Sequence, residues 1–224
     1  MSSFIITADN PKVLALRKKE PHLGVVVDLL GDVSFRDYSD GYSFIVCQIV
    51  GQMISQRVAK VFCERLRALC DGEISPRTIS RFPVSELKNI GLSRPKCQYI
   101  LGFTEAILNK ELVLDELEAA SDDEVMKRLT AIKGIGTWTA KMYLLCVLRR
   151  DDILPYEDKV FAKAFKWLYN LEDATCADIK KRGKRWSPYA SIGVLYLYHA
   201  TAAKLTSRPF SEYEKAAKQR IIKE

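Results

Sequence analysis

Nine residues constrain this chain more than any other stretch: Ile132-Lys133-Gly134-Ile135-Gly136-Thr137-Trp138-Thr139-Ala140. Two glycines separated by one apolar residue, with helical periodicity on both sides, fit a tight turn between two helices. Glycine adopts backbone angles closed to other residues, and it leaves no side chain to hold off an approaching backbone. The amides of Gly134, Gly136 and Thr137 are then expected to point outward at the start of the following helix. There the helix dipole and the unsatisfied N–H groups suit a phosphate oxygen. A bare GxG is satisfied by a merely structural turn; apolar helices on either side and the following Thr-Trp-Thr-Ala are more restrictive.

The remainder of the chain is read mainly in the helical period, and no run alternates strictly enough to require a sheet. Residues 43–70 form one long apolar-rich stretch, and Ser85 opens a short helix that Gly91 ends. A further helix covers 96–109. Ser121-Asp122-Asp123-Glu124 is a capping-box pattern opening a helix through Leu129. Helices are also expected over about 137–149, about 158–169 and, rich in aromatics, 188–205, with one or two more in 1–40, including 25–30. No internal repeat or flexible linker is visible.

With 224 residues, 48% of them apolar, the chain can bury a substantial core. Its net charge of +7 is compatible with a polyanionic partner. Five cations fall within the six residues Lys180-Lys181-Arg182-Gly183-Lys184-Arg185, and Arg94-Pro95-Lys96 is a second short basic site. Each is as well explained by a solvated surface as by a phosphate contact. Cys47, Cys63, Cys70, Cys97, Cys146 and Cys176 lack CxxC spacing and read as reduced, buried thiols of an intracellular protein, without an iron–sulfur or zinc ligand set. The apolar stretches are too short to cross a bilayer, and Met1-Ser2-Ser3-Phe4 does not begin a secretory signal.

Several motifs, in order, resemble the helix–hairpin–helix, Gly/Pro-Asp superfamily of DNA glycosylases, nearest to the alkylated-base enzymes of the 3-methyladenine type. Arg36-Asp37 precedes Ile49-Val50-Gly51-Gln52-Met53-Ile54-Ser55; Gly91-Leu92-Ser93-Arg94-Pro95-Lys96, the hairpin, Pro155, Asp158 and Trp186-Ser187-Pro188-Tyr189 follow. The likeness runs from about residue 36 to 200. It implies an all-α fold with two helical lobes around a DNA-binding cleft, within a single glycosylase domain. One lobe is expected over about 40–148, with the hairpin at 130–141, and the other over 1–39 plus 149–224. The hairpin and Asp158 are expected to meet at the cleft.

The resemblance also implies roles. Asp158, twenty-two residues beyond Gly136, matches the family's catalytic aspartate. A carboxylate there can stabilise the oxocarbenium-like sugar as the N-glycosidic bond breaks, and can orient water. Its neighbour Glu157 is the rival, and a plain helix cap is the structural alternative. Gln52 and Met53 match the segment that fills the stack vacated by the flipped nucleotide, Met53 as an apolar wedge; a core methionine is the alternative. Trp138 occupies the hairpin position where bifunctional relatives carry a Schiff-base lysine, which implies a monofunctional enzyme using water. Trp138 and Tyr189 match pocket aromatics suited to a cationic methylated purine, although core packing also accounts for them.

Met142 stands where some relatives have a pocket tyrosine, and Lys133 where proline is frequent. Lys133, Gly134, Gly136, Thr137 and Thr139 are the expected DNA contacts of the hairpin. No cofactor is expected to be required. A structural sodium or potassium ion held by the backbone carbonyls of Thr130, Ile132 and Ile135 is a further expectation. The partner would be duplex DNA with damaged bases, bound by a monomer without any membrane, in the compartment that holds the DNA. Two alternatives stay open: a glycosylase for another damaged base, and a non-catalytic helix–hairpin–helix protein that binds damage.

Overall fold

The computed structural model describes residues 3–38 and 40–221; Met1 and Ser2, which enter the reading of the N-terminus, lie outside them. The chain divides into two compact units, one of Met1–Asp37 with Arg149–Glu224 and the other of Tyr38–Leu148.

In chain order the first unit begins with strand β1 (Ser3–Ile6), helices α1 (Pro11–Lys19) and α2 (Pro21–Leu30), and strand β2 (Val33–Arg36). The second unit holds α3 (Gly41–Gly51), α4 (Gln56–Leu69), α5 (Pro76–Ile79), α6 (Val84–Asn89), α7 (Arg94–Leu108), α8 (Asp122–Thr130) and α9 (Thr137–Cys146). The first unit is completed by α10 (Lys159–Tyr169), α11 (Cys176–Gly183), α12 (Ala190–Ala202) and α13 (Phe210–Ile221). The fold is all-α apart from one small sheet.

That sheet corrects the expectation that no strand is needed. β1 and β2 pair antiparallel with Ser3 opposite Arg36 and Ile6 opposite Val33. Each strand has only four residues, too few for alternation to stand out. Phe4 stacks on Phe35, and His199 of α12 meets Phe35 edge-on while its Nε2 lies 2.9 Å from the Ser34 carbonyl.

The first unit is organised around α12, apolar on nearly every side and buried from Ala190 to Leu197. α10 packs Phe161, Ala164, Phe165 and Leu168 beside it, all fully buried. Trp186 sits among Phe161, Phe165 and Tyr169. Gly193 makes room for that indole, since a Cβ there would come within 2.6 Å of it. Burying each such side chain contributes about 1.5–3 kcal/mol, so this cluster is the unit's anchor. At its edge the Tyr169 hydroxyl donates to the buried Glu20 carboxylate at 2.7 Å and accepts from Trp186 Nε1 at 2.8 Å. Burial pushes the Tyr169 phenol well above its ordinary pKa, so it remains a donor.

The second unit centres on α3, whose Ile45, Val46, Ile49 and Val50 are fully buried. α4, α7 and α9 pack around it. Tyr42 and Thr104 share a 2.6 Å hydrogen bond between α3 and α7. Ser121 caps α8 by accepting the Glu124 amide at 3.3 Å, but the reciprocal half of the expected capping box does not form, because the Glu124 carboxylate pairs with Arg128 Nε at 2.8 Å.

Several boundaries differ from expectation. The stretch 43–70 is two helices, broken where Met53 takes a left-handed φ of 58°. The short helix thought to start at Ser85 starts at Val84, and Gly91 follows it at φ 103°. The helix after the hairpin stops at Cys146, before Arg149, which sits at φ 51° and pairs with Asp37. The 188–205 segment narrows to α12, whereas α11 and α13 were not foreseen as helices. No disulfide joins any of the six cysteines, but only Cys70 and Cys97 are buried; Cys47, Cys63 and Cys146 are half-buried and Cys176 is exposed.

Candidate functional site

The expected site residues fall into two sets, one in each unit. The first is the hairpin between α8 and α9 together with the turn after α3. Gly134 has φ 96°, a left-handed geometry that favours glycine. A Cβ there would lie 2.3 Å from Cγ of Tyr99, so any side chain would also collide with α7. Gly136 differs: its φ of −90° suits any residue, and a Cβ would meet nothing within 4 Å. The first glycine shapes the turn, and the second leaves an open surface beside the start of α9.

Gly136 stands at the cap position of α9 and offers no side chain to receive the first amides of that helix. Thr137 and Lys133 are exposed, and Trp138 is half-buried. Thr139, also expected to contact DNA, is 2% exposed, so its side chain is buried in the unit and not offered to a ligand. Successive residues of a helix face different directions, and only Thr137 of the two threonines faces out. Met142 is 6% exposed, packed into the interior of the unit.

The carbonyls expected to hold a monovalent cation are unequal. Ile132 already accepts the Ile135 amide at 3.0 Å. Among the described residues, the Thr130 and Ile135 carbonyls receive no backbone amide outside the helices. Two of the three carbonyls are thus without a backbone donor there, and the third shares its oxygen with the Ile135 amide. No group of His, Cys, Asp or Glu able to hold a metal occurs among the described residues.

The turn after α3 presents Met53 at 99% exposure, which rules out the core-methionine alternative. Gln52 is half-buried, and its Nε2 donates to the Gly134 carbonyl at 2.8 Å. Lys96, read from sequence as part of a short basic site and of the loop 91–96, donates to the Val50 carbonyl at 2.7 Å. Its partner lies 46 residues away, so no local signal could have found the contact.

The second set surrounds Asp158. This residue is the N-cap of α10, with Oδ1 accepting the Phe161 amide at 2.7 Å. Its own amide donates to the Pro155 carbonyl at 2.8 Å, and the residue is 9% exposed. The carboxylate therefore caps the helix and is held in one orientation, at the positive end of the α10 dipole. Tyr189, half-buried, caps α12 without a side-chain bond.

Helix α11 backs the loop that leads to Asp158. Gly183 lies so close to Leu154 that a Cβ would come within 2.5 Å of it, and Lys180 Nζ stands 5.3 Å from the Tyr156 ring centroid. Two other cations of the run also reach protein groups, Arg182 covering the Tyr169 ring at 3.9 Å and Arg185 Nε pairing with Glu20 at 2.8 Å, while Lys180, Lys181, Lys184 and Arg185 remain exposed.

The one unit thus offers a glycine turn opening onto an uncapped helix start, and the other a helix-capping carboxylate. The sequence matches the HhH-GPD superfamily of base excision DNA repair proteins over residues 46–188. The chain belongs to that family.

Among its relatives, the alkylbase DNA glycosidase-like protein mag2 of Schizosaccharomyces pombe is 30% identical over 162 residues, spanning 70% of this chain and 76% of that protein. The Bacillus subtilis protein YfjP is 32% identical over 126 residues, 56% of this chain but only 44% of its own length. A crystal structure of a DNA-3-methyladenine glycosidase from Bacillus halodurans superposes with a TM-score of 0.78 at 31% identity, covering 89% of this chain and 92% of that one. As an HhH-GPD protein the chain has DNA as its partner. No helix among the described residues is long and apolar enough to cross a membrane.

Proposed function

We propose that this HhH-GPD protein is a monofunctional DNA glycosylase that flips alkylated purines of the 3-methyladenine and 7-methylguanine type out of duplex DNA and hydrolyses their N-glycosidic bond. The observation that carries the reading is Asp158, a nearly buried carboxylate fixed by the α10 amide beside an otherwise apolar helix face. An ionised carboxylate stabilises the positive charge that grows on the sugar as the C1′–N bond lengthens. The purine leaves with the bonding electron pair, and a water oxygen adds to C1′, losing a proton to solvent or to the carboxylate.

Methylated purines are good leaving groups because they already carry positive charge, so one carboxylate without a partner acid suffices. Trp138 cannot form a Schiff base, which supports the water-using branch. Its half-buried indole and the ring of Tyr189 offer electron-rich faces to a cationic base. In this reading Met53 fills the vacated stack, and the amides at the start of α9 hold a phosphate with Thr137 and Lys133 beside them. The two uncommitted carbonyls of the hairpin could be joined there by a sodium or potassium ion, which would screen them from that phosphate. The enzyme would act as a monomer wherever the cell keeps its DNA.

The deciding experiment is base release from methylated duplex DNA by the native chain and by Asp158→Asn. Asparagine keeps the helix cap, so the fold should survive. Release is expected to fall by about a thousandfold, the upper range for removal of a transition-state electrostatic group. Equal release by both chains would remove Asp158 from the chemistry. Release by neither, with damaged DNA still bound, would turn the reading into a damage-binding protein.

A further inference from the structure

Met53 combines two costs: a left-handed backbone in a residue other than glycine, and a large apolar side chain left in water. Nothing packs against such a side chain, so its turn must be fixed from elsewhere. The backbone bonds of the turn are long, 3.3 Å from Gln52 N to the Ile49 carbonyl and 3.4 Å from Ile54 N to the Gly51 carbonyl. Ser55, which caps α4, accepts the Val58 amide at 3.4 Å. Shorter ties come from two side chains. Lys96 Nζ reaches the Val50 carbonyl at 2.7 Å, and Gln52 Nε2 reaches the Gly134 carbonyl at 2.8 Å.

These ties close a loop through three elements. Lys96 sits in the first turn of α7 and holds the end of α3, which otherwise presents unsatisfied carbonyls. Tyr99, three residues further on the same face of α7, fills the space beneath Gly134. Gln52 joins the end of α3 to that same Gly134. Burial lowers the pKa of the Lys96 ammonium, and the neighbouring Cys63 partly offsets this. An ammonium in this setting is retained against the cost of its desolvation.

We propose that Gln52 and Lys96 are positioning residues that lock the Met53 turn to the hairpin, so that insertion into the base stack and grip on the backbone occur as one event. This rests on the glycosylase reading and changes one of its parts. Gln52 is committed to the Gly134 carbonyl, and Met53 alone enters the stack. The lock supplies the rigidity that converts backbone binding into force on the duplex, so its loss should matter most when a paired base must be extruded.

The test uses the full-length chain and a methylated base in two settings, paired in a duplex or unpaired in a bulge, under single-turnover conditions. Gln52→Ala and Lys96→Met are expected to slow release of the paired base by about tenfold, the rate equivalent of one lost hydrogen bond. Release of the unpaired base should fall by less than about threefold, since unpairing no longer has to be driven. Lys96→Arg should restore the paired rate, and Gln52→Glu, which cannot donate, should behave as Gln52→Ala.

Asp158→Asn serves as reference, losing both rates together. Equal losses on paired and unpaired bases, or none, would overturn the proposal. Should the native chain release no base at all, the glycosylase reading fails, but 2-aminopurine placed beside an abasic-site analogue still reports unstacking on binding. A bright native complex and a dim Gln52→Ala complex at saturation would then support the lock; equal brightness would overturn it. If Lys96→Met proves unfolded by circular dichroism, Gln52→Ala carries the same comparison alone.

Discussion

The hairpin with its adjoining turn and the cap at Asp158 handle their exposed groups in opposite ways. At the hairpin, the groups offered outward are backbone amides, a space emptied of side chains at Gly136, and one methionine held in a left-handed turn. Around Asp158 a single carboxylate stands at the head of a helix whose buried face joins the densest aromatic packing of the chain. On the proposed reading, recognition of a repeating backbone would rest on main-chain groups, which substitutions other than proline leave in place, and the chemistry on one side chain on a rigid base. The first region carries strain and openness; the second carries packing.

The contrast is sharpest in what substitutions should do to stability. Gly134→Ala should cost about 3 kcal/mol or more, combining an overpacked contact with Tyr99 and a left-handed residue bearing a Cβ. Chemical denaturation measures this, and a cost below 1 kcal/mol would mean that α7 yields easily. Tyr169→Phe should follow at about 2 kcal/mol, because Glu20 and Trp186 Nε1 both lose a partner inside the core. Its affinity for DNA should be unchanged; a parallel drop in binding would break the division between packing and recognition.

Met53→Gly reverses the sign. Relief of the left-handed backbone should leave stability unchanged or raised by up to about 1 kcal/mol, after the entropy of an added glycine is subtracted. Excision from paired DNA should nevertheless fall, and a variant that is both destabilised and fully active would refute the wedge. Gly136→Ala should have the smallest effect on stability, within about 0.5 kcal/mol, as the site is open and the backbone ordinary. The added methyl should instead appear as weaker DNA binding in a titration at fixed salt.

Features written in adjacent residues were legible in the sequence. The glycine turn, the Ser121 cap and the cap of α10 at Asp158 each depend on a handful of neighbours. Features made by distant partners were not. β1 and β2 are four-residue strands joined across two intervening helices. The break at Met53 lies in a residue type that gives no warning of positive φ. The basic run 180–185 read as a surface patch because Tyr156, Tyr169 and Glu20, which receive three of its cations, are scattered along the chain. Thr139 and Thr137 look alike in the sequence, and only the helix phase separates the buried one from the exposed one.

The placement of the three tryptophans gives the molecule built-in optical labels. Trp186 is wholly buried among aromatic rings, and Trp167 is tied by its Nε1 to the Arg208 carbonyl and meets Phe210 edge-on, where α13 begins. Trp138 alone belongs to the other unit, half-exposed in the first turn of α9. Because Trp167 is half-exposed as well, Trp167→Phe leaves Trp138 as the one partly exposed indole, whose red-edge emission quenched by added DNA reports an event at the hairpin, while the blue emission of Trp186 lost on heating reports the melting of α10 and its neighbours. One cuvette can follow recognition and unfolding as separate spectral channels, without an attached dye.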